Sequence, residues 1–202
     1  MSYEITITST LSRHQQREVA EIYYDSFKIK FSKLWLFTNN KGLAIEVLSQ
    51  SIDFNNGLYA IKDNEVIGFI GLETVGSIYT NLRFSSLIKA FGLIGGLWRT
   101  AGYLIYRAFQ GRIGEDEMHI DPIAVSEKAR GLGVGTKLLD ASLVLAKSLG
   151  KKKMTLEVVD TNPEAKKLYE RKEFVVTKIE KTGFLTSLAG FTKVFHMRKV
   201  IE

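Results

Sequence analysis

Cysteine is absent from the 202 residues, which excludes disulfides, thiolate nucleophiles and zinc–thiolate sites together. Only three histidines occur, His14, His119 and His196, and they are too scattered to form a metal motif, so no metal is expected. Proline is scarcer still, with two, and no Pro- or Ser-rich linker or internal repeat divides the chain. The opening Met1-Ser2-Tyr3-Glu4-Ile5-Thr6 lacks the basic-then-apolar build of a secretory signal, and the expected location is the cytoplasm. Also missing are an Arg/Lys-rich arm, zinc-finger spacing and an aromatic-basic ribonucleoprotein motif. The net charge of +6 therefore favours anionic small partners without calling for nucleic acid.

What is present is ordinary globular material. Hydrophobic residues make up 45% and charged residues 25%, and the length is that of one domain with a substantial apolar core, read here as 1–202. Tyr3, Ile5 and Ile7 alternate with polar residues as in a strand, and Ser12 can cap a helix whose Val19, Ile22 and Tyr23 share one face. A helix is predicted from about Leu43 to Ser51, and the segments 58–61 and 65–75 read as a β-hairpin about Asp63-Asn64. Strands follow at 117–125 and 154–159, with a helix over 133–149 between them. A short helix opens at Asn162-Pro163, and strands at 174–180 and 193–200 close the chain. This order makes an α/β protein around one mixed sheet.

The segment Ile123-Ala124-Val125-Ser126-Glu127-Lys128-Ala129-Arg130-Gly131-Leu132-Gly133-Val134-Gly135-Thr136 leads from strand to helix through a basic, glycine-rich turn. Glycines let backbone N–H groups converge, and a helix N-terminus adds unpaired donors at a positive dipole end, so the turn is an anion site. It is neither a Walker loop, since the order is Gly135-Thr136-Lys137, nor a GxGxxG fingerprint, since its glycines are evenly spaced. Arg130-x-x-Gly133-x-Gly135 instead resembles the pyrophosphate signature of the GNAT superfamily of N-acetyltransferases. Downstream, Leu156-Glu157-Val158-Val159, Asn162, Ala165, Leu168-Tyr169-Glu170 and Phe174 resemble that family's next strand and helix.

The resemblance implies the GNAT fold, a mostly antiparallel mixed sheet whose fourth and fifth strands splay apart and are flanked by helices. It implies acetyl-CoA as acetyl donor, lying in the wedge. Backbone groups of Ile123, Ala124 and Val125 would bond its pantetheine arm, and Arg130, Gly131, Leu132, Gly133, Val134, Gly135 and Thr136 would hold its pyrophosphate. Asn162, Ala165 and Tyr169 would complete the cofactor contacts. Pro122 departs from a central strand and fits a bulge or splayed edge. The implied activity is transfer to a primary amine of a small molecule or peptide. A non-catalytic acyl-CoA sensor is the alternative.

Such transfer needs an acid for the departing thiolate and a base for the amine. Tyr169 is the candidate acid. Three residues contend for the base: Glu157 on the fifth strand, His119 on the fourth, whose imidazole type titrates near neutrality, and Asp121, which shares His119's strand face by period-two alternation. The acceptor itself stays open.

The stretch from about 76 to 114, between the third and fourth strands, reads as an insertion. It is apolar, glycine-rich and basic, with no acidic residue until Glu115. A partly helical hairpin over about Leu82 to Arg112 is predicted, forming an acceptor-side wall or a homodimer contact. A spanning helix is not expected, because Arg99 and Gly92, Gly95, Gly96 and Gly102 interrupt it. Basic charges beside aromatic and aliphatic residues also suit a membrane interface, though a membrane partner is not the leading expectation.

Overall fold

The computed structural model describes residues 4–109 and 111–201, so Tyr3 of the first predicted strand lies outside the described residues. Strand β1 (Thr6–Thr8) ends where Ser12 begins a capping box with Gln15, opening α1 (Arg13–Ser26). A single helical turn, α2 (Lys28–Lys30), runs on into a π-helical turn at Phe31–Trp35 that the hydrophobic pattern does not announce. Asn40 then caps α3 (Lys41–Ser51), its Oδ1 accepting the Leu43 N–H. The hairpin follows as β2 (Gly57–Lys62) and β3 (Glu65–Glu73).

Between β3 and the next strand lies α4 (Phe84–Phe109), bent at Gly92, whose φ of 70° and ψ of 175° are not helical. The predicted partly helical hairpin is thus two helical limbs, 84–91 and 93–109, meeting at a corner. A Cβ on Gly96 would stand 2.7 Å from the Ile88 Cα, so only glycine lets the limbs close this tightly. The chain continues as β4 (Glu117–Val125), α5 (Val134–Ser148), β5 (Lys153–Val159), α6 (Pro163–Arg171), β6 (Val175–Lys181), α7 (Phe184–Leu188) and β7 (Lys193–Val200). The loop expected between the last two strands contains the short helix α7.

One mixed seven-stranded sheet results, in the order β1-β2-β3-β4-β5-β7-β6. Every pairing is antiparallel except β4 with β5. Each face carries its own apolar core. Val19, Tyr23, Tyr24, Leu48, Phe69, Tyr79 and Leu87 pack α1, α3 and the first limb of α4 against one face. Leu58, Ile70, Met118, Ile120, Leu138, Leu139, Leu156 and Tyr169 pack α5 and α6 against the other. Burial of this apolar surface is the dominant stabilising term.

Candidate active site

The two parallel strands pair from Glu117 with Lys153 to Ile120 with Leu156, and then part. Each keeps its outer neighbour: β4 stays on β3 as far as Val125 opposite Gly68, and β5 stays on β7 as far as Val159 opposite Val194. The facing edges 121–125 and 157–159 are left without a ladder between them, so their backbone groups need partners from elsewhere. The parting begins at a bulge. Between Ile120 and Ile123 strand β4 holds Asp121 and Pro122 where β3 offers Gly71 alone. Proline, with no N–H to give, is tolerated at such a position.

One end of this opening is lined by donors. After β4 the chain makes a 3-10 turn at Glu127–Ala129, passes Arg130 in extended conformation, and enters α5 through Gly131 and Gly133, with φ of 79° and 76°. Those positive values favour glycine at both positions. Gly133 is the N-cap and supplies no side-chain bond, so the N–H groups of Val134, Gly135 and Thr136 have no intrahelical acceptor. The Ser126 hydroxyl, at the start of the same turn, is buried and has no hydrogen-bond partner among the described residues. A Cβ on Gly135 would lie 3.2 Å from the Leu168 side chain of α6, which brings the two helices together over the wedge. Asn162 caps α6 through Oδ1 to the Ala165 N–H at 3.2 Å, leaving its amide nitrogen free of that bond. Tyr169, on the same helix, is buried with its ring 6.2 Å from Phe174, and burial pushes its phenol well above the usual tyrosine range. The donor set fits a phosphate-bearing ligand: N–H groups without intrahelical acceptors, an arginine and the positive end of a 15-residue helix.

The opposite sheet face handles protons. Met118, Ile120, Leu156 and Val158 point into the core under α5, so His119, Asp121, Thr155 and Glu157 point the other way. His119 Nδ1 lies 2.9 Å from Thr155 Oγ1, and that hydroxyl donates to Glu117 Oε1 at 2.5 Å. With its only proton given to Glu117, Thr155 can only accept from the imidazole. Nδ1 therefore carries the proton, and Nε2 of a neutral ring is an acceptor. Lys153 Nζ stands 3.6 Å from Glu117 Oε2 and completes the chain of partners.

Glu157 is exposed and held at 3.0 Å by His196 Nδ1, while His196 Nε2 lies 3.2 Å from Glu180. Asp121, at the mouth of the wedge, has its carboxyl pushed up chiefly by burial; His119 opposes that shift and Glu157 adds to it. Lys30 Nζ sits 5.2, 5.5 and 5.4 Å from the ring centroids of Phe27, Trp35 and Phe191. Burial lowers its ammonium pKa, and the carboxylates of Asp121 and Glu157 act against that.

The sequence-predicted residues thus fall into two groups on opposite sides of one opening. Ile123, Val125, Arg130 to Thr136, Asn162, Ala165 and Tyr169 gather about the wedge and α5, whereas the Ala124 side chain turns into the opposite core and His119, Asp121 and Glu157 gather on that far face. Sequence reasoning missed Thr155 and Glu117, Lys30, and above all Glu73. This buried carboxylate is the strand partner of His119; its pKa is raised to about 7, first by burial and then by Asp121, while the Tyr79 N–H and Arg107 pull it down. Alternation does carry a signal for it: Glu73 falls in step with buried Phe69 and Gly71 rather than with a solvated face. Among the described residues no group of three or more His, Cys, Asp or Glu could hold a metal ion.

A strand bulge, a parallel pair that parts after Ile120 and an uncapped helix N-terminus define a sheet protein with an anion-binding opening between two strands. The chain belongs to the acetyltransferase (GNAT) family, whose model matches residues 17–174. No curated protein matches it significantly. Among solved structures it is similar to Ard1 from Thermoplasma volcanium, with a TM-score of 0.61 at 20% identity over 98% of each chain. It is also similar to the ribosomal-protein-S18-alanine N-acetyltransferase from Escherichia coli, at 0.55 and 16% over 98% of this chain and 95% of that one. A third, yncA from Salmonella typhimurium, solved with its cofactor acetyl-CoA, gives 0.58 and 14% over 98% and 94%. At these identities the likeness establishes the fold.

Proposed function

We propose that the protein is an acetyl-CoA-dependent N-acetyltransferase that acts on a primary amine of a small molecule or peptide by direct attack on the thioester. The reading takes the chain as one domain over 1–202 working in the cytoplasm. The observation that supports it best is the single opening between β4 and β5, with N–H donors at one end and proton acceptors on the facing side. In this reading the unpaired edge of Ile123, Ala124 and Val125 bonds the pantetheine arm, and Arg130 with the N–H groups of 131–136 takes the pyrophosphate. Asn162, Ala165 and Tyr169 close the site from α6. The cofactor supplies an acetyl group activated as a thioester.

Of the three contenders for the base, His119 is best placed. Its Nε2 is left as a proton acceptor by the Thr155–Glu117 pair, whereas Glu157 is engaged by His196 and, among the described residues, no hydrogen bond orients the Asp121 carboxyl. Tyr169 remains protonated well above neutrality and can donate to the departing sulfur. Glu157, exposed beside the opening, suits an acceptor that arrives as an ammonium and must lose a proton.

The test is release of free thiol from acetyl-CoA across a panel of polyamines, amino acids and peptides, followed over pH. Turnover with some amine is expected, with a rate that falls on the acid side. His119→Gln should lower kcat by roughly 10² or more and remove that acid limb. Cofactor binding with no thiol released by any amine would instead support an acyl-CoA sensor.

A further inference from the structure

The second limb of α4 is amphipathic in the reverse of the usual sense. Leu93, Ile94, Leu97, Trp98, Ala101, Leu104 and Ile105 recur at helical spacing on one face, and all are exposed, Ile94 at 82% and Leu93 at 63%. The inward face is the polar one. Arg99 donates through Nε to the Leu36 carbonyl at 2.6 Å and through Nη2 to the Phe37 carbonyl at 3.3 Å, and its guanidinium lies over the rings of Phe91 and Trp98. Tyr103 donates to the Thr80 carbonyl at 3.4 Å. These bonds fix the rotation of the limb, so the apolar stripe cannot turn into the core. Exposed Phe37 extends the stripe, its ring 5.2 Å from that of Trp98.

An outward apolar stripe pinned in place calls for a partner, and charge selects which. From Thr74 to Gly114 the chain carries Arg83, Lys89, Arg99, Arg107 and Arg112 and no acidic residue, five positive charges in a protein whose net charge is +6. Lys89 is answered by Glu46 and Arg107 acts on Glu73 within the fold, while Arg83 and Arg112 lie exposed at either end of the segment. A second copy would bring exposed Arg83 and Arg112, with no acidic residue between them in the chain, toward charges of the same sign. An anionic bilayer answers both features, and among the described residues no helix is long and apolar enough to cross one. The limb, about 25 Å long at 1.5 Å per residue, would lie flat in the headgroup region.

We infer that the second limb of α4 docks the protein on anionic phospholipid membranes, with Leu93, Ile94, Leu97, Trp98, Leu104 and Ile105 entering the interface. The inner face of the same limb carries Arg107, whose positive charge acts on both Glu73 and Asp121. Docking would therefore turn the acceptor side toward the lipid.

The experiment uses the full chain with vesicles of phosphatidylcholine alone and of equal parts phosphatidylcholine and phosphatidylglycerol. Co-sedimentation with the mixed vesicles is expected, weakened by salt, together with a blue shift of Trp98 emission in a Trp35→Phe background. Ile94→Glu combined with Leu97→Glu should cut partitioning by at least about tenfold, and because both positions are exposed the thermal unfolding should be unchanged. Should that pair unfold the chain, Leu104→Glu and the emission of wild-type Trp98 carry the same test. Absence of vesicle binding, or equal binding to both compositions, overturns the proposal. So does a concentration-dependent dimer that Leu97→Glu dissociates while vesicles have no effect, which would assign the stripe to a second copy.

Discussion

At the scale of single residues, the most consequential contact is the one that orients His119. Thr155 is half-buried on β5, opposite His119 in the parallel ladder, and its hydroxyl joins imidazole to carboxylate. Valine has nearly the same shape and suits a strand, yet it removes both bonds. Thr155→Val should therefore leave folding almost unchanged, lower kcat roughly tenfold or more by freeing the other tautomer, and shift the acid limb of the rate profile. Thr155→Ser should restore both. A profile identical in position to the wild type's, with only stability altered, would reduce Thr155 to a packing residue. Tyr169 makes a different point. Its family-derived role requires a proton at neutral pH, and burial ensures one, but the same burial makes the phenol a weaker acid. In the proposed reaction it would serve the departing thiolate by hydrogen bonding as the proton moves.

Among the elements, α5 carries the cofactor side of the reading. Ligand held by the native state alone raises the melting temperature, so acetyl-CoA should stabilise the protein. Arg130→Glu, which puts a like charge beside the phosphates from an exposed position, should erase most of that shift. An undiminished shift in the variant, measured by thermal unfolding with and without acetyl-CoA, would move the pyrophosphate elsewhere. This element was legible in the sequence because its signals are local: Gly131 and Gly133 mark the turn, and Leu138, Leu139 and Ala146 recur on one helical face. The same holds for Asn162-Pro163 opening α6 and for Pro122 at the bulge. What stayed hidden depends on contacts distant in sequence. Arg99 finds its acceptors at Leu36 and Phe37, and without them nothing tells which face of α4 turns outward. The π-helical turn at Phe31–Trp35 answers to the ring cluster of Tyr23, Phe27 and Trp35 rather than to its own periodicity. Thr155 looked like any β-branched strand residue until its register against β4 was known.

For the molecule as a whole, the site imposes a cost that should be visible in its pH stability. Several surface carboxylates, Glu65, Glu164 and Glu180, have lowered pKa values through exposed lysine partners, and such pairs contribute little to stability. Glu73 works the other way. It is 5% exposed, faces Asp121, Arg107 and the Tyr79 N–H, and titrates at about 7 instead of its ordinary 4.5. Between those values the folded chain holds a proton that the unfolded chain has released. Its contribution to stability is thus fully present below about 4.5 and is lost as pH rises to about 7. The total is on the order of 3 kcal/mol at most. Asp121, raised by burial beside it, adds in the same direction. Urea unfolding at a series of pH values should therefore show the wild type more stable near pH 5.5 than near pH 8. Glu73→Gln keeps an oxygen for the Tyr79 N–H but cannot ionise, so it should flatten much of this decline and be the more stable protein at the alkaline end. A wild-type curve that is level or rising through this window, or a variant with the same slope, would show that Glu73 does not hold its proton in the folded state.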